Sequence, residues 1–237
     1  MNRGFLYGDG FFETIRIIDN QIPLLAFHLQ RISEAIEIYQ FEPSFTIDED
    51  FINAIKSNCE ENGILRINFF RDGQGKYLPN TNEVAFDYTF TSFNLPFFVP
   101  TSLDLEADLK NAPSAKGNIA LYPEPKPNVD WLTVKSLSSI FYVLAAKYKE
   151  EQLSDYLLIQ NSDGNICEEL VSNILLQTKE GLFTPSLKCG GVYGATLRFL
   201  LKNYGFDIAE KEITIDDIEN ANAVYSCKGS IGLIQIK

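Results

Sequence analysis

The sequence is short of histidine: His28 is its only one. That excludes a multi-histidine metal centre and leaves a Ser-His-Asp relay without support. Its four cysteines, Cys59, Cys167, Cys189 and Cys227, are scattered, with no CxxC pair and no histidine beside them. Neither a disulfide framework nor a zinc site follows from that spacing, and no metal is expected. Positive charge is also scarce, with 20 Lys and Arg against 32 Asp and Glu and a net charge of -12. Phosphate backbones are gripped by clustered cations, so nucleic acid is excluded as a main partner. No apolar run reaches bilayer-spanning length, and Met1 leads straight into NRGFLYGDG without a signal peptide. The expectation is a soluble, cytoplasmic protein with no membrane partner.

What the chain does have is an ordinary globular balance, 45% apolar and 22% charged over 237 residues, enough for one large domain or two small ones. FFETIRIIDNQIPLL alternates around Ile15, Arg16 and Ile17, breaks at Asp19-Asn20 and resumes, which predicts a hairpin. Leu25, Leu29, Ile32, Ile36 and Tyr39 recur at helical spacing, which predicts an amphipathic helix containing HLQRISEAIEIY. A second helix near 48–60 follows, then strands at ILRINFFR and EVAFDYTFTSF on either side of the turn DGQGKYLPN. Residues 94–130 contain NLPFFVPTS and LYPEPKPNVD, proline-rich text that predicts an interdomain linker. Beyond it come a predicted helix over 136–150, strands at DYLLIQ and SNILLQT, a helix over 194–203, and strands at FDIAEKEIT and VYSCKGSIGLIQIK. The expected organisation is a smaller α+β domain over 1–93, a linker over 94–130 and a larger domain over 131–237.

Four constellations carry chemistry. Lys135, in DWLTVKSLSSIFY, is followed by eleven uncharged residues. Leu137, Ile140, Phe141, Leu144 and Ala145 are expected on one buried helical face beside it. Its amine is then either a snorkelling surface charge or, desolvated, a nucleophile suited to forming an imine. ICEELVSNILL carries Glu168, Glu169 and Asn173; a carboxylate there is either a solvated turn residue or the partner of a buried cation or protonated ring nitrogen. GGVYGATLRFLL leads glycines into a helix start, which is either a turn needing positive φ or an anion site. Arg31 lies between the apolar positions 29 and 32, where an inward guanidinium would need an anion. The residues alone leave each pair of readings open.

In order and spacing these pieces resemble the fold-type IV family of pyridoxal-phosphate enzymes, which includes branched-chain aminotransferases, D-amino acid aminotransferases and 4-amino-4-deoxychorismate lyases. The likeness runs through YGDGFFETIRIIDNQIPLLAFHLQRISEA, VKSLSSIFYVLA, DYLLIQNSDGNICEELVSNILL, TPSLKCGGVYGATLR and a divergent last motif, ANAVYSCKGSIGLIQI. It implies a two-domain α/β (α+β) fold of the D-amino acid aminotransferase type, pyridoxal 5'-phosphate between the domains, and a homodimer. Lys135 matches the imine-forming lysine, and Glu168 the partner of the pyridine nitrogen, with Glu169 a bystander. Arg31 matches the phosphate arginine, while Gly194, Ala195 and Thr196 match the helix start that holds the phosphate. In the last motif Lys228 and Gly229 replace the family's usual residues, with Ser230 next as a cofactor-binding candidate. The family's opening strands have no counterpart before NRGFLYGDG, nor its closing helix after Lys237, so a truncated or minimal variant is expected.

The resemblance leaves the reaction between two outcomes. D-amino acid aminotransferases carry an arginine and a histidine two residues apart for the substrate carboxylate, a pattern missing here. Branched-chain aminotransferases have a tyrosine two residues before the arginine matched by Arg66, where this chain has Ile64. The turn RDGQGKY resembles that of aminodeoxychorismate lyases, which release pyruvate and p-aminobenzoate for folate synthesis. The lyase is therefore the expected reaction, with a class IV aminotransferase as the alternative. Arg66, Arg71 and Lys76 are the candidates for binding a small, amino acid-like carboxylate substrate. A reading from another class is a non-catalytic binding protein on the same fold.

Overall fold

Alternation along FFETIRI buries Phe11, Ile15 and Ile17 on one side of strand β1 (Gly10–Ile17). β1 pairs antiparallel with β2 (Gly63–Arg71), and β2 with β3 (Val84–Ser92), in a three-stranded sheet of order β1-β2-β3. The computed structural model describes residues 2–237. Short helix α1 (Arg3–Tyr7) precedes β1, while α2 (Leu25–Ile38) and α3 (Glu49–Lys56) supply Ile32, Ala35, Ile52 and Ile55 to one apolar core with the sheet. The expected hairpin after β1 shrinks to a single bridge, Ile18 with Gln21, around Asp19 and Asn20 at positive φ. The chain then enters α2 directly, so the alternating text beyond the turn has no partner strand.

The first unit takes the chain through Leu95 together with Val134–Ser139, and the second holds Pro96–Thr133 with Ile140–Lys237. The expected boundaries therefore differ on two points. Residues 94–130 are no bare linker, because α4 (Leu105–Leu109) buries Leu105 and Leu109 in the second unit's core and β4 (Ile119–Leu121) joins a sheet. Lys135 lies in the first unit: Phe12 N–H donates to the Lys135 carbonyl (2.7 Å), Leu137 N–H donates to Gly10 O (2.9 Å), and Ser136 bridges to Phe11. The predicted helix accordingly starts late, as α5 (Ile140–Glu151). Of its expected buried face, Ala145 is enclosed but Ile140 and Leu144 are exposed at 67% and 50%.

The second unit has two sheets. β4 runs parallel to β5 (Tyr156–Gln160), which pairs with β6 (Ile166–Glu169). The larger sheet contains β7 (Asn173–Thr178), β8 (Gly181–Pro185), β9 (Ile208–Lys211), β10 (Ala223–Lys228) and β11 (Gly232–Gln235), in the order β11-β10-β7-β8-β9. Helix α6 (Ala195–Tyr204) connects β8 to β9, the right kind of crossover for a parallel pair. Helix α7 (Ile215–Asn220), closed by a capping box between Thr214 and Asp217, precedes β10. No helix among the described residues is long and apolar enough to cross a membrane.

Candidate active site

In the first unit the site begins at a carboxylate that pattern reading passed over. Glu13 occupies the buried phase of β1, between Phe11 and Ile15, and is 2% exposed. His28 and Arg31, three apart on α2 and so on one face, both reach it: His28 Nδ1 donates to Oε1 at 2.7 Å and Arg31 Nη1 lies 3.4 Å from the same oxygen. Burial alone would raise the Glu13 pKa, but the Arg31 charge, the His28 hydrogen bond and charge, and the Lys135 charge together hold it below the usual carboxylate value. The inward position expected for Arg31 is thus met by a protein carboxylate.

The opposite face of β1 presents Phe12. The Lys135 Nζ lies 4.8 Å from its ring centroid and the Arg66 Cζ 3.6 Å, so two cations attend one aromatic face system. Arg66 Nε donates to Asn68 Oδ1 (2.9 Å), and Asn68 in turn donates to Asp87 (2.6 Å). Arg71 is differently employed. Its Nε bonds Asp9, Nη1 bonds Asn82 Oδ1 and Nη2 bonds the Tyr39 carbonyl, with the guanidinium over Phe41. Those bonds make it a brace of the unit. The Lys76 side chain is exposed, and its carbonyl accepts from Arg3, which also holds the Gly75 carbonyl.

In the second unit Glu168, next to last in β6, is 4% exposed. Its Oε1 accepts from Lys126 Nζ and from the Tyr142 hydroxyl, each at 2.7 Å, and its Oε2 accepts from the Val192 N–H at 2.7 Å. Burial, then the Glu168 charge, push the Tyr142 phenol well above its ordinary range, so it stays a neutral donor. Glu169 points into a separate buried chain, accepting from Ser172 Oγ, which accepts from Ser226 Oγ. Lys126 and Tyr142 are functional candidates missed in the sequence. The signal for Lys126 was its setting in PEPKPN, a lysine whose backbone is stiffened by proline on both sides. For Glu13 it was a carboxylate on the apolar phase of a strand.

Asn173 clamps the turn that leads into α6: its Nδ2 donates to Val192 O (2.7 Å) and its Oδ1 accepts from Gly194 N–H (2.9 Å). A Cβ at Gly194 would collide with that Oδ1, and one at Gly191 with the Cys167 carbonyl. Close approach, with Gly194 φ at -72°, rather than positive φ, explains the glycine there. The helix has no side-chain N-cap, so its first N–H groups lack that partner. Thr196, fully buried in the first turn, carries a hydroxyl oxygen with no hydrogen-bond partner. An orphaned hydroxyl beside open helix N–H groups is the donor set a phosphate takes, and in this respect the residues fit pyridoxal phosphate. Ser230 sits in the turn between β10 and β11.

This fold is that of the fold-type IV enzymes: an aminotransferase from Brucella abortus solved with bound pyridoxal phosphate superposes with a TM-score of 0.78 at 16% identity, over 99% of this chain and 82% of that one. The family model for class IV amino-transferases matches residues 10–237, and the chain belongs to that family of pyridoxal-phosphate-dependent enzymes. It is similar to the aminodeoxychorismate lyase of Bacillus subtilis, 26% identical over 208 residues covering 85% of this chain and 67% of the relative. It is equally similar to the D-alanine aminotransferase of Bacillus licheniformis, 27% identical over 239 residues covering 94% of this chain and 76% of the relative.

Proposed function

We propose that the chain binds pyridoxal phosphate through Lys135 and acts as a 4-amino-4-deoxychorismate lyase, releasing pyruvate and p-aminobenzoate. Bound pyridoxal phosphate supplies an electron sink for negative charge at the substrate α-carbon. Lys135 takes the α-proton and returns a proton as general base and acid. Glu168 holds the proton at the ring nitrogen. Thr196, with Gly194 and Ala195 at the start of α6, binds the phosphate, joined by Arg31, whose orientation Glu13 fixes. Arg66 binds a substrate carboxylate; Arg71, with its donors spent on Asp9, Asn82 and Tyr39, braces the unit. Ser230 is assigned to the cofactor on the family motif, as are a homodimer and a cytoplasmic location on family likeness.

The observation that carries the lyase over a D-amino acid aminotransferase is the fate of the one histidine. His28 is 1% exposed and its Nδ1 is bonded to Glu13, which leaves no histidine for the carboxylate trap of those enzymes. A second reading, a class IV aminotransferase for another small amino acid, is favoured by Arg66, since one guanidinium suffices for a substrate with one carboxylate. The two separate in one assay. Supplied with aminodeoxychorismate, the protein is expected to release pyruvate and p-aminobenzoate and to transfer no amino group from a panel of D- and L-amino acids. Amino transfer without pyruvate would replace the lyase by the aminotransferase.

A further inference from the structure

Lys126 is the least expected group in the second unit. It is a lysine 1% exposed, and its side chain forms an ion pair with Glu168 at 2.7 Å. It has little freedom to leave. Pro125 and Pro127 restrict the backbone on both sides, the Lys126 N–H donates to Gln160 O at 2.8 Å, and the Nζ lies 5.5 Å from the Tyr142 ring centroid. Withdrawing the ammonium would strand two buried charges, which low-dielectric surroundings penalise heavily.

The carboxylate's acceptor positions are therefore largely taken. A carboxylate offers about four lone-pair sites. Lys126 and Tyr142 fill two on Oε1 and Val192 N–H fills one on Oε2, leaving a single place beside Val192. The other titratable groups facing Glu168 are Tyr142 of α5 and its strand neighbours Cys167 and Glu169. Tyr142 and Cys167 are both neutral, the Cys167 thiol being pushed up to about 12 by burial first and the Glu168 charge second. Glu169 is turned to Ser172 and the Val171 N–H. Lys126 is thus the cation seen paired with this carboxylate among the described residues.

We propose that the buried ammonium of Lys126 competes with the cofactor's ring nitrogen for the Glu168 carboxylate, so that the ring nitrogen binds its proton less tightly than it would beside an uncompensated carboxylate. This rests on the assignment of Glu168 to the ring nitrogen made above. Lys126 is a positioning residue, acting through its ion pair with Glu168. Its consequence is a graded electron sink, with the extent of ring protonation set by a second lysine as well as by the carboxylate.

The test uses pyridoxal phosphate labelled with 15N at the ring nitrogen, followed by NMR against pH in the wild-type protein, K126M and K126R. Removing a unit charge close to a proton site in a buried environment changes proton affinity by about tenfold or more. In the wild type the ring nitrogen is expected to titrate within the range where the protein stays folded. K126M is expected to raise the midpoint by about one pH unit or more, and K126R, which keeps a cation, to stay near wild type. A wild-type ring nitrogen that stays fully protonated across that range overturns the proposal without any variant being needed. So does K126M with an unchanged titration, whatever happens to affinity, because a lysine that merely props the fold would alter affinity alone. Failure of the wild type to take up the cofactor overturns the proposed function, and this inference with it.

Discussion

Glu13 is a carboxylate on the core side of a strand whose burial, which by itself would raise its pKa, is outweighed by the Arg31 charge and the His28 hydrogen bond. Its lowered pKa means that its contribution to stability is present in full above the unfolded carboxylate value of 4.5 and is lost as pH falls through the lower folded value. Glu13→Gln keeps the shape and removes the charge, leaving Arg31 and His28 with an uncharged partner. Urea titration is expected to show a loss on the order of 2 kcal/mol at neutral pH, and a flatter acid limb than the wild type. Equal stability and an equal acid limb would show that the cluster contributes nothing through its charge. The same residue shows how far a sequence can be read. Lys135, Glu168, Arg31 and Thr196 were named as candidates by motif order. Glu13, Lys126 and Tyr142 were not, because each works through contacts with residues distant in sequence, and no periodicity encodes which cation a buried carboxylate will meet.

At the scale of elements, α6 is the part whose start was most legible. Its glycine-led start was plain in GGVYGATLRFLL, although the reason for Gly194 is the Asn173 amide packed against it. The first turn leaves the buried Thr196 hydroxyl unpaired, which is what the proposed phosphate contact would satisfy. Thr196→Val replaces that hydroxyl with a methyl of the same shape. It is expected to leave the cofactor-free protein as stable as wild type, or more so by about 1 kcal/mol, while weakening pyridoxal phosphate about tenfold, as loss of one charge-assisted hydrogen bond implies. Thermal denaturation and equilibrium titration of the cofactor measure the two effects separately. Loss of stability with unchanged affinity would make the hydroxyl structural. Element boundaries were less legible than element types. The stretch after Lys135 has helical spacing from Leu137 onward, yet residues through Ser139 stay outside the helix, where Leu137 N–H bonds the Gly10 carbonyl of β1. A long-range backbone bond overrode local propensity.

For the whole molecule, the division into two units is not a cut along the chain. The first unit recruits Val134–Ser139 from beyond the proline-rich segment, and that segment itself contributes Leu105, Leu109 and β4 to the second. Proline content suggested a linker there and could not reveal that the segment's apolar residues are core. The recruitment fixes half-buried Lys135 by backbone bonds to β1, with its amine beside Phe12. That placement is what the assignment of Lys135 as the cofactor lysine depends on. Pyridoxal phosphate added to the protein and reduced with borohydride, followed by peptide mapping, reads it out. The phosphopyridoxyl group is predicted on Lys135, with the visible absorbance band lost on reduction and no such adduct in Lys135→Ala. An adduct on Lys126 or another lysine, or no borohydride-sensitive band at all, would contradict it.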